Sequence, residues 1–533
     1  MKNYNSDVII GKITIISCIT LCIISIFIPI FSKGVWASYD AMAHYGRMID
    51  INNQIKNHQF PPLFDWYSVD SIGYSWNMFY PPLSAYIQGI IGLLSFWSLS
   101  LNAQFKISIF IILAITFYVC YFISKKITSN SLKSLILSTL FVCSGSVLNN
   151  SFIRVDIGEL CAIPFILMAI FGLHNIIFRT AFSWKYFPIG VSLTLLSNIP
   201  SFVVLIIGIT IFLVFNIEKL INKSAMKLIF LSILSVVLFT SFFTIPVIFH
   251  YIKSDIFAFT GLPFSYPSMS DYTVDFENIF LGLKTSGLKT SDGLITSPGI
   301  PLILLFLLGF VYSYKFKNDI VLTGSLTCCL LFIFSLPLFP WAQLPEWIPA
   351  INLIQFPWRI IIFCTCLIAF YSSYTMQKIN STPYLTMILI IAAILTSYAT
   401  VNANNNRYQS INKKLFEDYL PIDVHTGIKN LDAKSIKLAK ERKSTSWNGV
   451  SYNIKGISGK FTTDIIGYNG YEMYIDGNKS ETKKDHSGFL YVNVSNNERV
   501  EFSYSSSLTY YPWIISILFT ILFITIPIAF PKK

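Results

Sequence analysis

Long apolar runs separated by short basic connectors make up most of this chain. Runs at 8–31, 104–124, 132–148, 158–178, 186–197, 199–216, 228–250, 300–314, 320–338, 354–374, 383–401 and 511–530 carry almost no charge. A helix needs about 20 apolar residues to cross a bilayer, and most of these runs approach or reach that length. The pattern therefore predicts a mainly α, polytopic membrane protein with about twelve transmembrane helices. The pair at 186–216, split by "SNIPS", reads as a tight hairpin rather than one broken helix. From 402 to 509 the pattern changes. "GFLYVNVSN" and "ERVEFSYSSS" alternate apolar and polar residues, and "YIDGNK" supplies an Asp-Gly turn, so this block reads as a small β-sandwich. The expected organisation is a transmembrane module at 1–401 with an external loop at 32–103, a β-rich extracytoplasmic domain at 402–509, and a C-terminal anchor at 510–533.

Charge orients these elements. The chain has 533 residues, 53% hydrophobic and 12% charged, with a net charge of +12. That excess sits largely in connectors such as "SKKITSNSLK" and "IEKLINKSAMK", as the positive-inside rule produces, and does not point to nucleic acid. Lys2 and Lys12 precede the apolar part of the first run, which places the N-terminus in the cytoplasm and makes that run an uncleaved signal anchor. If "PPLSAYIQGIIGLLSFWSLS" crossed fully, Lys125, Lys126 and Lys133 would fall outside. If it lies at the interface or re-enters, every later basic connector is cytoplasmic. The outer face then collects the loop at 32–103, "NNSFIRVDIGE", the loop at 253–299 and the β block. All nine cysteines lie in or beside apolar runs, so neither a disulfide framework nor a thiolate metal site is expected.

Three polar constellations stand out on that outer face. In "WASYDAMAHYGRMI", Asp40, His44 and Arg47 are spaced i, i+4 and i+7, which puts them on one side of a helix. The plain alternative is a solvated juxtamembrane helix with local ion pairing. The loop after it, "HQFPPLFDWYSVDSIGYSWNMFYPPLSAYI", is longer and more aromatic than a connector needs. In "SFIRVDIGELCAIPF", Asp156 and Glu159 suit a helix N-terminus by simple capping, and Arg154 is either their ion-pair partner or a phosphate ligand. In "INLIQFPWRIIIFC", Arg359 either snorkels to the headgroups or holds a phosphate by bidentate bonds. The histidines form no metal-binding spacing, and neither a phosphate loop nor a nucleophile elbow occurs.

Taken together, the first span, the external loop opening on an Asp, the "H..R" continuation and the "YPPL" segment resemble the GT-C superfamily of membrane glycosyltransferases. "SYDAMAHYGRMI…FPPLFDWYSVDSIGYSWNMFYPPLSAYI", "RVDIGE" and "IQFPWR" are similar to a bacterial multi-pass family labelled 6-pyruvoyl-tetrahydropterin synthase-related, and to YfhO-like proteins. "YNGYEMYIDGNK…SGFLYVNVSNNERVEFSYSS" resembles the external domain that ends those chains. The pterin part of that label finds no histidine zinc site here. The resemblance implies a GT-C-like fold and a polyprenyl-phosphate-linked sugar as donor.

The resemblance further implies that Asp40 acts near the acceptor or a metal, that Arg154 and Glu159 form the family's Arg–Glu pair, and that Arg359 is its late arginine. Asp40 and Glu159 are the expected catalytic acids, and Arg154 and Arg359 the expected donor-phosphate ligands. His44 and Arg47 are candidates for acceptor, metal or orienting roles. Trp66, Tyr67, Tyr74, Trp76 and Tyr80 are candidates for stacking on sugar rings. The second acid of other GT-C branches has no certain match, which leaves a divalent metal, Mg or Mn, open; no other cofactor is implied. The expected setting is the outer face of a bacterial cytoplasmic membrane, with a glycan or lipid acceptor. The competing expectation is a non-catalytic transporter of lipid-linked saccharides, or a scaffold for an envelope-glycan machine.

Overall fold

A computed structural model describes residues 2–31, 33–66, 71–180, 182–253, 256–260, 269–281, 296–315, 319–344, 353–378, 390, 407–408, 417–427, 443–445, 449–495 and 498–525. Tyr67 and the run at 383–401, apart from Ile390, lie outside them. The principal helices are α1 (Lys2–Phe31), α2 (Tyr39–Lys56), α3 (Leu83–Leu94), α4 (Leu101–Thr128), α5 (Ser131–Val142), α6 (Ile157–Phe178), α7 (Tyr186–Ser197) and α8 (Ile199–Phe215). After them come α9 (Lys223–Lys253), α10 (Ile300–Lys315), α11 (Asp319–Ser335), α12 (Ile360–Lys378) and α13 (Tyr510–Thr525).

Four helical segments are long and apolar enough to cross a membrane: α4, α6, α9, and α12 with its leading turn from Pro357. A fifth exists if α5 and the segment Gly145–Ile153, bent by 51°, count as one broken span. The run at 132–148 is thus two pieces rather than one straight helix. The helices α7, α8, α10, α11 and α13 are apolar but shorter, at 12, 17, 16, 17 and 16 residues. At about 1.5 Å per residue they reach roughly 18–26 Å, less than a bilayer core of about 30 Å. Among the described residues, helix length alone therefore does not reach the expected twelve. The apolar α3 has 12 residues, too few to cross.

The centre of the bundle is α6 and α12, both buried almost end to end. Apolarity alone does not put them there, since α9 is more apolar than α12 and far less buried; close packing between helices does. Small residues let α7 lie directly on α6: a Cβ on Gly172 would meet the Phe187 nitrogen at 2.0 Å, and one on Gly190 the Ala169 nitrogen at 2.4 Å. The two run antiparallel, because the Ser197 carbonyl sits beside Gly158 at the start of α6. The chain then turns at Asn198, whose Oδ1 accepts from the Ser201 amide at 2.9 Å, and α8 returns until Phe212 meets Phe178. "SNIPS" is therefore a helical hairpin. At the periphery, α13 packs on α9 through a Ser241–Ser516 hydrogen bond of 2.8 Å.

Strand β1 (Val35–Trp36) pairs antiparallel with β2 (Arg407–Tyr408), and the rest of the C-terminal block forms two further antiparallel sheets. One has the order β3 (Lys443–Thr445), β4 (Gly449–Ile454), β10 (Glu498–Tyr504), β6 (Tyr471–Ile475), β7 (Asn478–Ser480). The other has the order β5 (Gly459–Ile466), β9 (Phe489–Val494), β8 (Lys483–Lys484). Asp476 and Gly477 both have positive φ, 47° and 82°, so the Asp-Gly pair makes the primed turn that a two-residue hairpin favours. This block does not stand apart from the external loop. One hydrophobic cluster joins Leu63, Phe64, Trp66, Ile72, Tyr74, Trp76, Met78 and Phe79 to Tyr452, Ile465, Tyr468, Phe489 and Phe502. The Ile466 amide donates to the Ile72 carbonyl at 2.9 Å, and Lys443 Nζ donates to the Ser71 carbonyl at 2.5 Å. The loop is therefore half of the domain that covers the bundle.

Candidate functional site

Helix ends α2, α6 and α12 converge beneath that cover, and their polar side chains meet. Ser38 caps α2 by accepting from the Ala41 amide at 3.1 Å, and its hydroxyl donates to the Arg154 carbonyl. Asp156 caps α6 through the Glu159 amide at 3.0 Å. Pro357 opens the turn that leads into α12, where its fixed φ suits a first helical position. Val155, between Arg154 and Asp156, has φ 59°, and Gln355, just before the Pro357 turn, has φ 63°. A β-branched residue rarely adopts that conformation, and such strain collects at functional sites.

Arg154 is the hub. Its Nε donates to Asp40 Oδ2 at 2.6 Å, its Nη2 to Asp156 Oδ2 at 3.0 Å, and its Nη1 to Glu159 Oε2. The Glu159 Oε1 faces Arg359 Nε at 3.5 Å, and His44 Nε2 pairs with Asp156 Oδ1 at 3.1 Å. The Arg154 guanidinium lies 4.7 Å from the Trp358 ring centre, and Arg359 is 5.5 Å from the same ring. Burial by itself would lower the Arg154 pKa, but Asp40, Glu159 and Asp156 together raise it above its usual value. Burial works against the Asp156 carboxylate too; Arg154 and the His44 hydrogen bond outweigh it and hold its pKa well below the usual range.

Asp40, His44 and Arg47 share one face of α2, as their spacing predicts, but their partners come from other elements rather than from the helix itself. Arg359 turns inward instead of snorkelling: it is 4% exposed, and its Nη1 donates to the Ile354 carbonyl at 3.0 Å and to Gln355 Oε1 at 2.5 Å. Arg47 is buried with its guanidinium 4.2 Å from the Tyr80 ring centre, and its Nε and Nη1 have no hydrogen-bond partner among the described residues. Burial lowers its pKa. Trp66, Tyr74 and Trp76, expected as open ring faces, are packed inside the protein. All three are buried in the shared core, where Trp66 stacks on Phe64 and Trp76 Nε1 donates to Asp50 Oδ2 at 2.7 Å. Such aromatic spacing serves packing as readily as stacking on a ligand. Of the four aromatic candidates among the described residues, Tyr80 alone touches the cluster, with its hydroxyl 3.5 Å from Asp156 Oδ1 and its ring edge-on to His44.

Three members of the cluster are not among the residues the sequence singles out for a site role. Asp156 is a cap and an ion-pair partner at once, Trp358 forms the aromatic floor under both arginines, and Ser38 ties α2 to the Arg154 backbone. The cap signals of Ser38 and Asp156 are visible in the sequence; their mutual proximity is not. A divalent ion does not fit the cluster as arranged, because each carboxylate already faces a guanidinium. Among the described residues no group of three His, Cys, Asp or Glu is placed to hold a metal.

No protein-family model matches the chain. It is 25% identical over 357 residues to an uncharacterized protein of Lactococcus lactis subsp. cremoris (strain MG1363), covering 64% of this chain and 55% of that one. Among solved structures it is similar to the crystal structure of the Archaeoglobus fulgidus oligosaccharyltransferase in the apo form. The TM-score is 0.43 at 13% identity, over 80% of this chain and 59% of that one. The chain thus spans little more than half the length of either protein.

Proposed function

We propose that this protein is a GT-C-type glycosyltransferase acting at the outer face of a bacterial cytoplasmic membrane, with its N-terminus in the cytoplasm. The donor is a polyprenyl-phosphate sugar and the acceptor an envelope glycan or lipid. One observation carries this reading: Asp40, Arg154, Glu159 and Arg359, drawn from three helix ends, form one connected cluster within a chain of otherwise apolar helices. The motifs around those residues also resemble that superfamily. In the reaction, the acceptor hydroxyl oxygen bonds to the anomeric carbon as the bond from that carbon to the phosphate oxygen breaks. The electron pair leaves with the phosphate, whose charge Arg154 and Arg359 stabilise. The hydroxyl proton passes to Asp40, the most exposed acid of the cluster. Glu159 holds both arginines in place. The test is turnover of a radiolabelled polyprenyl-phosphate sugar by wild type and Asp40→Asn. A loss of at least about a hundredfold is expected, the typical contribution of a general base; equal transfer would remove Asp40 from the chemistry.

The complete pairing of Arg154 favours a second reading, in which the cluster only holds helix ends together in a transporter or scaffold for lipid-linked saccharides. On that reading Asp40→Asn, expressed in a deletion strain, restores the envelope-glycan profile fully.

A further inference from the structure

The three carboxylates on Arg154 are not equivalent. Asp156 is fixed from several sides: its Oδ1 receives the Glu159 amide at 3.0 Å and His44 Nε2 at 3.1 Å, and its side chain is 5% exposed. Glu159 is fully enclosed and shared with Arg359. Asp40 differs on both counts. Its side chain is 28% exposed, and among the described residues its carboxylate pairs with Arg154 alone. An anion arriving from outside can therefore replace one carboxylate without stranding a buried charge, and that carboxylate is Asp40.

We propose that Asp40 is an internal ligand of a phosphate site on Arg154, and that the phosphate of the incoming donor displaces it. This deepens the glycosyltransferase reading and rests on it for the identity of the donor. Guanidinium binds carboxylate and phosphate through the same N–H geometry, so the two compete for the freed Nε–H. While paired, Asp40 points its lone pairs at Arg154 and is engaged in a charge-assisted bond. Once phosphate takes its place, the carboxylate is released at the first turn of α2, next to the bound donor. The base is thereby supplied only when the donor is present. In its absence the Arg154 charge stays compensated, and the buried guanidinium is never left with two partners and an empty third position.

The expected effect has an unusual sign, because removing a charged residue of the site should improve ligand binding. Full-length protein in detergent is titrated calorimetrically with inorganic phosphate, with a polyprenyl phosphate, and with the uncharged polyprenol. Asp40→Asn should bind both phosphates roughly three- to tenfold more tightly than wild type, the range for losing one partly exposed charged competitor. Asp40→Glu keeps a carboxylate within reach and should bind as wild type does. Tightening with both phosphates assigns the effect to the headgroup alone. Tightening confined to polyprenyl phosphate shows that the lipid tail is needed to reach the site. Either supports displacement. Unchanged or weaker phosphate binding by Asp40→Asn overturns it, as does binding of the polyprenol equal to that of its phosphate. The binding readout separates this proposal from the enzymatic one: tightening without turnover sinks only the transferase reading, and turnover without tightening sinks only displacement.

Discussion

Arg154, 12% exposed, and Arg47, fully buried, are guanidinium groups in the same neighbourhood, and their surroundings predict opposite responses to the same substitution. Arg154→Met would leave Asp40, Asp156 and Glu159 facing one another, two of them enclosed. Stranding buried charge costs about 3–5 kcal/mol, so the variant should unfold at markedly lower denaturant. Arg47 has no carboxylate in ion-pair contact among the described residues, only long hydrogen bonds of 3.3–3.5 Å to Asn77 and the Tyr80 and Pro81 carbonyls. Arg47→Met removes a poorly compensated charge and keeps its bulk, so the midpoint should hold or rise; a loss above about 2 kcal/mol would show that the Tyr80 contact carries real stability. Asp156 gives a pH dependence. Its folded pKa is depressed, so its contribution is complete above the ordinary value of 3.8 and drains away as pH falls below that. The stability gap between wild type and Asp156→Asn should therefore be constant from pH 7 to 5 and narrow below pH 4, as read by urea unfolding.

Among the elements, the α6–α7 hairpin sets the site by fixing the end of α6 against Ser197. Gly190→Val places a branched side chain against the α6 backbone, where a Cβ alone would already stand 2.7 Å from the Phe165 carbonyl oxygen. Overpacking of this kind costs about 1–3 kcal/mol, and here the backbone must also move. The expected result is a lowered thermal midpoint together with weaker phosphate binding, because the α6 N-terminus shifts. Unaltered phosphate binding would show that the site is held by α2 and α12 alone. The elements are largely legible in the sequence. The runs at 186–197, 199–216, 300–314 and 320–338 match α7, α8, α10 and α11 to within three residues, because a helix satisfies the backbone groups of an apolar run within the run itself. The break after Val142 is not legible there. Ser144 starts a new turn by accepting from the Val147 amide, and Ser146 bonds to the Ser297 carbonyl, a residue 151 positions away.

At the scale of the whole molecule, one face carries the loop, the β-sheets and the cluster, while Lys126, Lys133 and Lys219 lie at the opposite helix ends, against Phe182, the Gln377 carbonyl and Phe178. Lys185 fits that polarity: its Nζ donates to the Phe523 carbonyl near the end of α13 at 2.7 Å. The orientation is testable with a membrane-impermeant thiol reagent on a Cys329→Ser background, since Cys329 is the exposed cysteine among those described. Ser444→Cys, exposed in β3, should label in intact cells, and Lys223→Cys only after permeabilisation. The reverse pattern would invert the topology and with it the compartment of the proposed reaction.

The apolar helices, the β-rich block with its Asp-Gly turn, the shared face of Asp40, His44 and Arg47, and the capping character of Asp156 are all readable from residue order. Each comes from local periodicity or local hydrogen bonding, which a few neighbouring residues settle. Long-range packing alone brings Arg154 to three carboxylates from two segments, puts Trp66, Tyr74 and Trp76 in a core shared with the β-sheets, and turns Arg359 to Glu159 rather than the headgroups. Those outcomes depend on which helix ends pack together across more than a hundred residues of chain, and on the cost of burying a charge without its partner. Neither is written in any single stretch.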